Sequence, residues 1–387
     1  MRAVFVERPI VPVPFIDIKR FEPDFLPAWQ AKVAEMSAQA QFIGGAEVAR
    51  LESRLVQATG VAHAITCGNG TDAIQLALRA VGVGAGDVVL VPNATFWATF
   101  EAVVNVGASP VTVDIDPADG AVDFDAFTQA LDAHAPKAAL VVHLYGWGSA
   151  RLAELRQLCQ ARGVVLVEDG AQSFGVTYQG QSIYAEAAIA TTSFYPAKVL
   201  GAAGDGGAVF TANAEWAERV RQLGNHGRTS HYGYGLVGWN SRMDALQAAF
   251  VNLALDHFDA RLASRREAAA YYRQRLTDIG VPLMHAPEGY QENGYCNVCV
   301  LPNAAQKAAV EAALKAAGVG YANIYPGAMS EQEGARGVLR AHVGGQHAQA
   351  LCASVLNLPL FAYITHAEQD EVMAVVQHAM AGAPAAA

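Results

Sequence analysis

The feature that most constrains this chain is a repeated alternation of short apolar runs with helical segments. AHAITC, DVVLVP, SPVTVDID and AALVVHLYG are followed in turn by DAIQLALRAVG, TFWATFEAVVNVG, FDAFTQALDA and SARLAELRQLCQARG, and the pattern continues into GVVLVED, AIATTSF and GGAVFTA. A strand that returns through a helix must lie parallel to its predecessor, so the repeat predicts β-α-β units and a mostly parallel sheet. Several of the runs are apolar at every position, as expected of strands covered on both faces. Glycine closes two of the helices, the usual residue for a left-handed C-terminal cap.

Flanking segments complete the outline. An amphipathic helix is expected over Pro27–Gln39 and a second over Ala46–Thr59, where Val48, Leu51, Leu55 and Val56 recur at helical spacing. The pattern changes near Trp239, and a long helical stretch over Arg242–Leu276 leads out of the alternating region. NVCVLP reads as a strand, and AAQKAAVEAALKAAG and AEQDEVMAVVQHAM read as helices. The fold class expected is therefore α/β: a large domain over residues 1–255, N-terminal extension included, and a smaller C-terminal α+β domain over residues 256–387. The tail GAPAAA is expected to fray.

Hydrophobic residues make up 52% of the 387 residues and charged residues 16%, material for a large core with little surface charge. Such a chain is expected to hide surface in a partner, most simply a second copy. A net charge of −10 opposes a nucleic-acid-coating role. MRAVFVERPIVPVPFIDI carries an acid and prolines inside its apolar part and does not read as a signal peptide. With no apolar run long enough to span a bilayer, the expectation is a cytoplasmic protein without membrane partners. Five scattered cysteines do not suggest a disulfide framework, and Cys296-x-x-Cys299 lies in a strand-like stretch, so packing is the favoured reading over a redox pair or half a zinc site.

Four features carry chemistry. Gly68-Asn69-Gly70-Thr71-Asp72 sits between a strand and a helix; it reads equally as a phosphate cradle or as a tight turn with Thr71 or Asp72 as helix cap. Phe96-Trp97 follows DVVLVP at the rim where α/β sheets bind ligands, and its aromatic rings suit either stacking on a flat cofactor or core packing. Glu168-Asp169 closes GVVLVED; successive strand residues face opposite ways, so one acid can face the crevice while the other pairs, and Gln172 adds an amide nearby. The fourth is TTSFYPAKVLGAAGDGGAVF. Lys198, one of six lysines, stands there among glycines and behind Ser193, a residue able to donate to phosphate. A lysine in a dry site becomes a usable nucleophilic amine. Together the four meet the needs of pyridoxal 5′-phosphate: a lysine for a Schiff base, an acid for the pyridine nitrogen, donors for the phosphate and a flat group for the ring.

SFYPAKVLGAAGDGGAV, GNGTDAIQLAL, VEDGAQSFG and VGWNSRMDALQAA, in that order, resemble the motifs of the DegT/DnrJ/StrS-type sugar aminotransferases, with FIDIK and IYPGAMSEQ as further landmarks. The resemblance covers about residues 15–365. It implies the fold type I aminotransferase architecture and a homodimer with active sites shared between subunits. Residue by residue it implies that Lys198 holds pyridoxal phosphate and moves the proton, Asp169 pairs with the pyridine nitrogen, Gln172 sits by the ring hydroxyl, and Phe96 stacks on the ring. It further implies that Gly70, Thr71 and Ser193 hold the phosphate and that Asn240 reaches it from the other subunit. His226 and Tyr325 are the candidate substrate contacts, and Arg228 and Arg242 are local cations for a diphosphate.

The activity implied is transfer of an amino group from an amino acid, L-glutamate being expected, to a nucleotide-linked keto sugar in amino-sugar biosynthesis. The N-S-R-M-D form favours 3-keto sugars; a 4-keto acceptor, or a dehydratase reaction on the same fold, is the alternative. Two departures stand out. Trp147 occupies a position more often polar, where it is expected to alter the substrate, and Gly170 replaces a usual alanine as one small residue for another.

Overall fold

The computed structural model describes residues 12–382; the tail from Ala383 onward therefore lies outside the described residues. Eight strands form the main sheet: β1 (His63–Cys67), β2 (Val88–Pro92), β3 (Ser109–Val113), β4 (Ala138–Val142), β5 (Val165–Asp169), β6 (Ile189–Ser193), β7 (Gly207–Thr211) and β8 (Ala341–Val343). Their order is β1-β7-β6-β5-β4-β2-β3-β8. β7 pairs antiparallel with both neighbours, and every other pairing is parallel. Seven strands thus end on one edge, and only β7 begins there.

Helices between the strands cover both faces, as the apolar runs require. α1 (Phe25–Gln39) and α2 (Gly45–Thr59) precede the sheet; α3 (Gly70–Ala80), α4 (Trp97–Asn105), α5 (Phe124–His134), α6 (Leu152–Arg162) and α7 (Ala214–Leu223) are woven through it. One core packs Ile74, Leu78, Phe100 and Val103 on β1, β2 and β4 residues; on another, Phe174, Tyr184, Phe210 and Phe250 meet around β6 and β7. Complete burial of all five residues in β2 and in β4 explains why their sequences show no alternation.

The single helix expected over Arg242–Leu276 is two: α8 (Ala245–Asp256) and α9 (Phe258–Asp278). His257 breaks them with φ −109° and ψ 5°, and Phe258 turns inward onto Phe174. Helical periodicity runs through the break because both helices bury the same kind of face. α9 leads into a separate apolar core with α10 (Ala304–Ala316) and α12 (His366–Gly382), which Val13 from the N-terminal segment joins. Between them lie β8 and the short α11 (His347–Ser354). β8 has no sequence signature of a strand; it exists because its three residues find β3 as an edge to pair with. Cys299–Val300, inside NVCVLP, pairs with Val355–Leu356, and all five cysteines are buried and free, in keeping with packing roles. Among the described residues no helix is long and apolar enough to cross a membrane, and no cluster of metal-ligating side chains occurs.

Candidate active site

A cavity of about 580 Å³ opens at the edge where the parallel strands end. Ligands gather at this edge because helix N-termini and strand-end loops converge there. Register explains which residues meet: Gly207 pairs with Cys67 on one side and Ser193 on the other, which brings the turn after β1 level with the end of β6.

The β1–α3 turn is capped by Asn69, whose Oδ1 accepts from the Asp72 N–H at 2.8 Å, so the cap is neither Thr71 nor Asp72. Asn69 alone has the extended backbone a cap requires, φ −167°. The first-turn N–H groups of Gly70 and Thr71 have no intrahelical acceptor, and both residues line the cavity at the positive end of α3. Two glycines are obligatory. A Cβ on Gly70 would stand 2.7 Å from Ser193 Cβ, and one on Gly207 would stand 2.5 Å from the Asn69 carbonyl oxygen. The glycine run after the lysine therefore makes room for the turn after β1.

The two acids ending β5 separate as strand geometry demands. Asp169 lines the cavity; its Oδ2 accepts from Thr99 Oγ1 at 2.8 Å and its Oδ1 from the Ala171 N–H at 3.0 Å. Glu168 faces the other way, fully buried, against His143 Nε2 at 2.9 Å and the fork of Arg156 at 2.8 and 2.9 Å. Burial would raise the Glu168 pKa, but the His143 and Arg156 hydrogen bonds outweigh it and hold the carboxyl below its ordinary range. Gln172 is fixed at both ends: Oε1 accepts from the Tyr145 N–H and Nε2 donates to the Tyr325 hydroxyl, each at 2.7 Å.

Lys198 opens onto the cavity after β6. Among the described residues its amine has one side-chain neighbour at hydrogen-bond range, the Tyr295 hydroxyl at 3.5 Å. Desolvation pushes its pKa below the ordinary lysine value, and Asp169 opposes that in part. Phe96 stands 56% exposed with its ring centroid 5.6 Å from that of Tyr325, a free aromatic face at the cavity wall.

Gly70, Thr71, Phe96, Asp169, Gln172, Ser193, Lys198 and Tyr325 thus line one cavity. Asn240 and His226 do not. Both are exposed on the loop after α7, where His226 N–H donates to the Trp239 carbonyl, and Arg228 and Arg242 are exposed on the same loop. Tyr295, Thr95 and the Thr99 that holds Asp169 had no signature as site residues, because Tyr295 arrives from 97 positions away. Thr99, in the first turn of α4, is joined at 2.9 Å to Thr95 in the turn before it.

The two departures have packing explanations. Trp147 is buried and absent from the cavity lining; its indole N–H donates to the Asp119 carbonyl at 2.9 Å, so it fills core rather than shaping the acceptor pocket. Gly170 is not interchangeable with alanine here. A Cβ would lie 2.3 Å from Tyr184 Cε1, and the Tyr184 hydroxyl donates to the Gly170 carbonyl at 2.8 Å.

A buried amine almost without partners, a carboxylate aimed into the same space and free N–H groups at a helix start beside a serine form a donor set suited to pyridoxal phosphate. Comparison with known proteins agrees. A family model described as the DegT/DnrJ/EryC1/StrS aminotransferase family matches residues 27–377. A UDP-N-acetyl-3-dehydro-alpha-D-glucosamine 3-aminotransferase of Acidithiobacillus ferrooxidans is 35% identical over 96% of this chain and 98% of its own. A UDP-2-acetamido-2-deoxy-3-oxo-D-glucuronate aminotransferase of Pseudomonas aeruginosa is 36% identical over 91% and 96%. The crystal structure of NtdA from Bacillus subtilis, with bound cofactor PMP, the amine form of pyridoxal phosphate, superposes with a TM-score of 0.84 at 28% identity, covering 97% of this chain and 86% of that one. The chain belongs to the DegT/DnrJ/EryC1/StrS aminotransferase family and is a pyridoxal-phosphate-dependent sugar aminotransferase.

Proposed function

We propose that this enzyme moves the amino group of L-glutamate to the 3-keto position of a nucleotide-linked sugar. Convergence of Lys198, Asp169 and the start of α3 on one cavity carries the amine-transfer reading. Preference for position 3 is supported by two relatives of nearly full length whose names specify a 3-dehydro or 3-oxo sugar. A 4-keto acceptor is the second reading, since the same site chemistry would serve it.

Pyridoxal phosphate, when bound, supplies an electron sink that lets a proton leave the carbon bearing the amine. The residues then divide the work. Lys198 is the covalent anchor and the base that takes that proton at Nζ, a role that burial favours by lowering its pKa. Asp169, held by Thr99 and the Ala171 N–H, presents a fixed carboxylate to a protonated ring nitrogen. Gly70, Thr71 and Ser193 receive the phosphate, Phe96 covers the ring, and Gln172 with Tyr325 borders it. Exclusion of water falls to Phe96, Tyr295 and Tyr325.

The chain is assigned to a homodimer in which Asn240 and His226 serve the partner's site. Their exposed loop supports this: Tyr232, Tyr234 and Val237 stand 87%, 61% and 83% exposed, an apolar surface that calls for a cover. We place the large cofactor-binding domain in residues 1–255 and the small domain in residues 256–387, a division supported by the break at His257 and the separate C-terminal core, with two exchanges: β8 returns to the main sheet and Val13 joins the C-terminal core.

Incubation of the holoenzyme with L-glutamate should convert its cofactor absorbance to that of the amine form. Adding UDP-linked 3-keto sugar should return the spectrum and yield an aminated sugar by mass spectrometry. Turnover of the 4-keto isomer in preference to the 3-keto one would select the second reading.

A further inference from the structure

Ser241 is 3% exposed, although its neighbours Asn240 and Arg242 are both exposed. Its backbone N–H donates to the Gly224 carbonyl at 2.8 Å, which fastens the loop to the end of α7. Its other hydrogen bonds reach the turn between β1 and α3. The Gly68 N–H donates to both the Ser241 carbonyl and Oγ, each at 3.2 Å, and Oγ donates to Asp72 Oδ2 at 2.6 Å. The approach is close: a Cβ on Gly68 would stand 3.3 Å from Ser241 Oγ. One hydroxyl thus accepts from one side of the turn and donates to the other, a pairing that alanine cannot supply.

Asp72 stands in the first turn of α3 and lines the first cavity with Gly70 and Thr71. Free N–H groups at a helix start attract a carboxylate as they attract a phosphate. The bond to Ser241 gives one Asp72 oxygen a fixed donor from 169 positions away, outside the N–H groups of the helix itself. We infer that Ser241 is a positioning residue shared by two active sites. In its own subunit it fixes the start of α3 that receives the phosphate, and through the adjacent Asn240 it sets the residue lent to the partner's site. The inference rests on the homodimer reading above. Adjacent Cα atoms stand about 3.8 Å apart, so a displacement of Ser241 carries Asn240 with it.

Hybrid dimers test both halves. One chain keeps Lys198 and the other carries Lys198→Ala, so absorbance of lysine-bound cofactor reports a single site, and titration with pyridoxal phosphate gives its Kd. Asn240→Ala on the Lys198→Ala chain should raise that Kd, which is the control for the homodimer reading. Ser241→Ala should raise it about threefold or more from either chain, the weight of a lost hydrogen bond. A defect of local packing would weaken only the site of the chain that carries it. Asp72→Ala on the Lys198→Ala chain cuts the same link from the other end and should also raise Kd, so the test stands if Ser241→Ala fails to fold. With Asn240→Ala raising Kd, an unchanged Kd for Ser241→Ala in either position, or for Asp72→Ala, overturns the inference. A control without effect overturns the homodimer reading, and the inference with it.

Discussion

At the scale of single residues, Lys198 and Gly170 yield the sharpest expectations. Lys198→Ala should lower amine transfer by more than about a thousandfold, read as product formed per enzyme. The depressed pKa of Lys198 also has a consequence for the cofactor-free protein. Between that folded value and the ordinary 10.5 of the unfolded chain, the unfolded state binds more protons, so stability rises with pH across this window. Lys198→Met removes the dependence: its Tm should exceed wild type at pH 7, with the gap closing toward pH 10.5, by calorimetry of apoenzyme. For Gly170, the 2.3 Å approach to Tyr184 predicts that Gly170→Ala costs about 1–3 kcal/mol in urea unfolding. The double variant with Tyr184→Leu should cost less than the sum of the singles; strict additivity would show that the two side chains do not compete for the space.

Elements act through what ties them. Arg156 on α6 reaches Glu168 on β5, which keeps the strand end carrying Asp169 in place behind the cavity. Arg156→Met would leave Glu168 with His143 alone and should cost about 3 kcal/mol, because a buried carboxylate loses its strongest partner. The pH sign follows from the lowered Glu168 pKa: its stabilisation is complete above the ordinary value of 4.5 and is lost as pH falls through the depressed value. The Tm gap between wild type and Arg156→Met should therefore be full above pH 4.5 and narrow as pH falls through the depressed value, by calorimetry. The alternation of strands and helices made β1 to β7 legible, since burial on two faces writes itself as apolar runs. β8 and the break at His257 were illegible for one reason: each depends on a neighbour rather than on local periodicity.

For the whole molecule, the outward loop with Asn240 and His226 predicts complementation. Lys198→Ala and Asn240→Ala should each be nearly inactive alone. Hybrid dimers of the two contain one site with both native residues, so mixing and reassembly should restore activity well above either parent. If the mixture stays at the parental level, Asn240 does not act across an interface.

Sequence by itself determined seven of the eight strands, the cofactor chemistry and, Tyr325 apart, the strand-end and helix-start residues of one cavity, because such positions are fixed by local pattern and share an edge in any parallel sheet. It also determined that the two acids of β5 face apart. Only the tertiary structure decided that Asn69 rather than Thr71 or Asp72 caps α3, that Trp147 packs and that Gly170 makes way for Tyr184. Tyr295 came to light only in three dimensions as well. Each of these turns on contacts between residues far apart in the chain, and spacing carries no record of those.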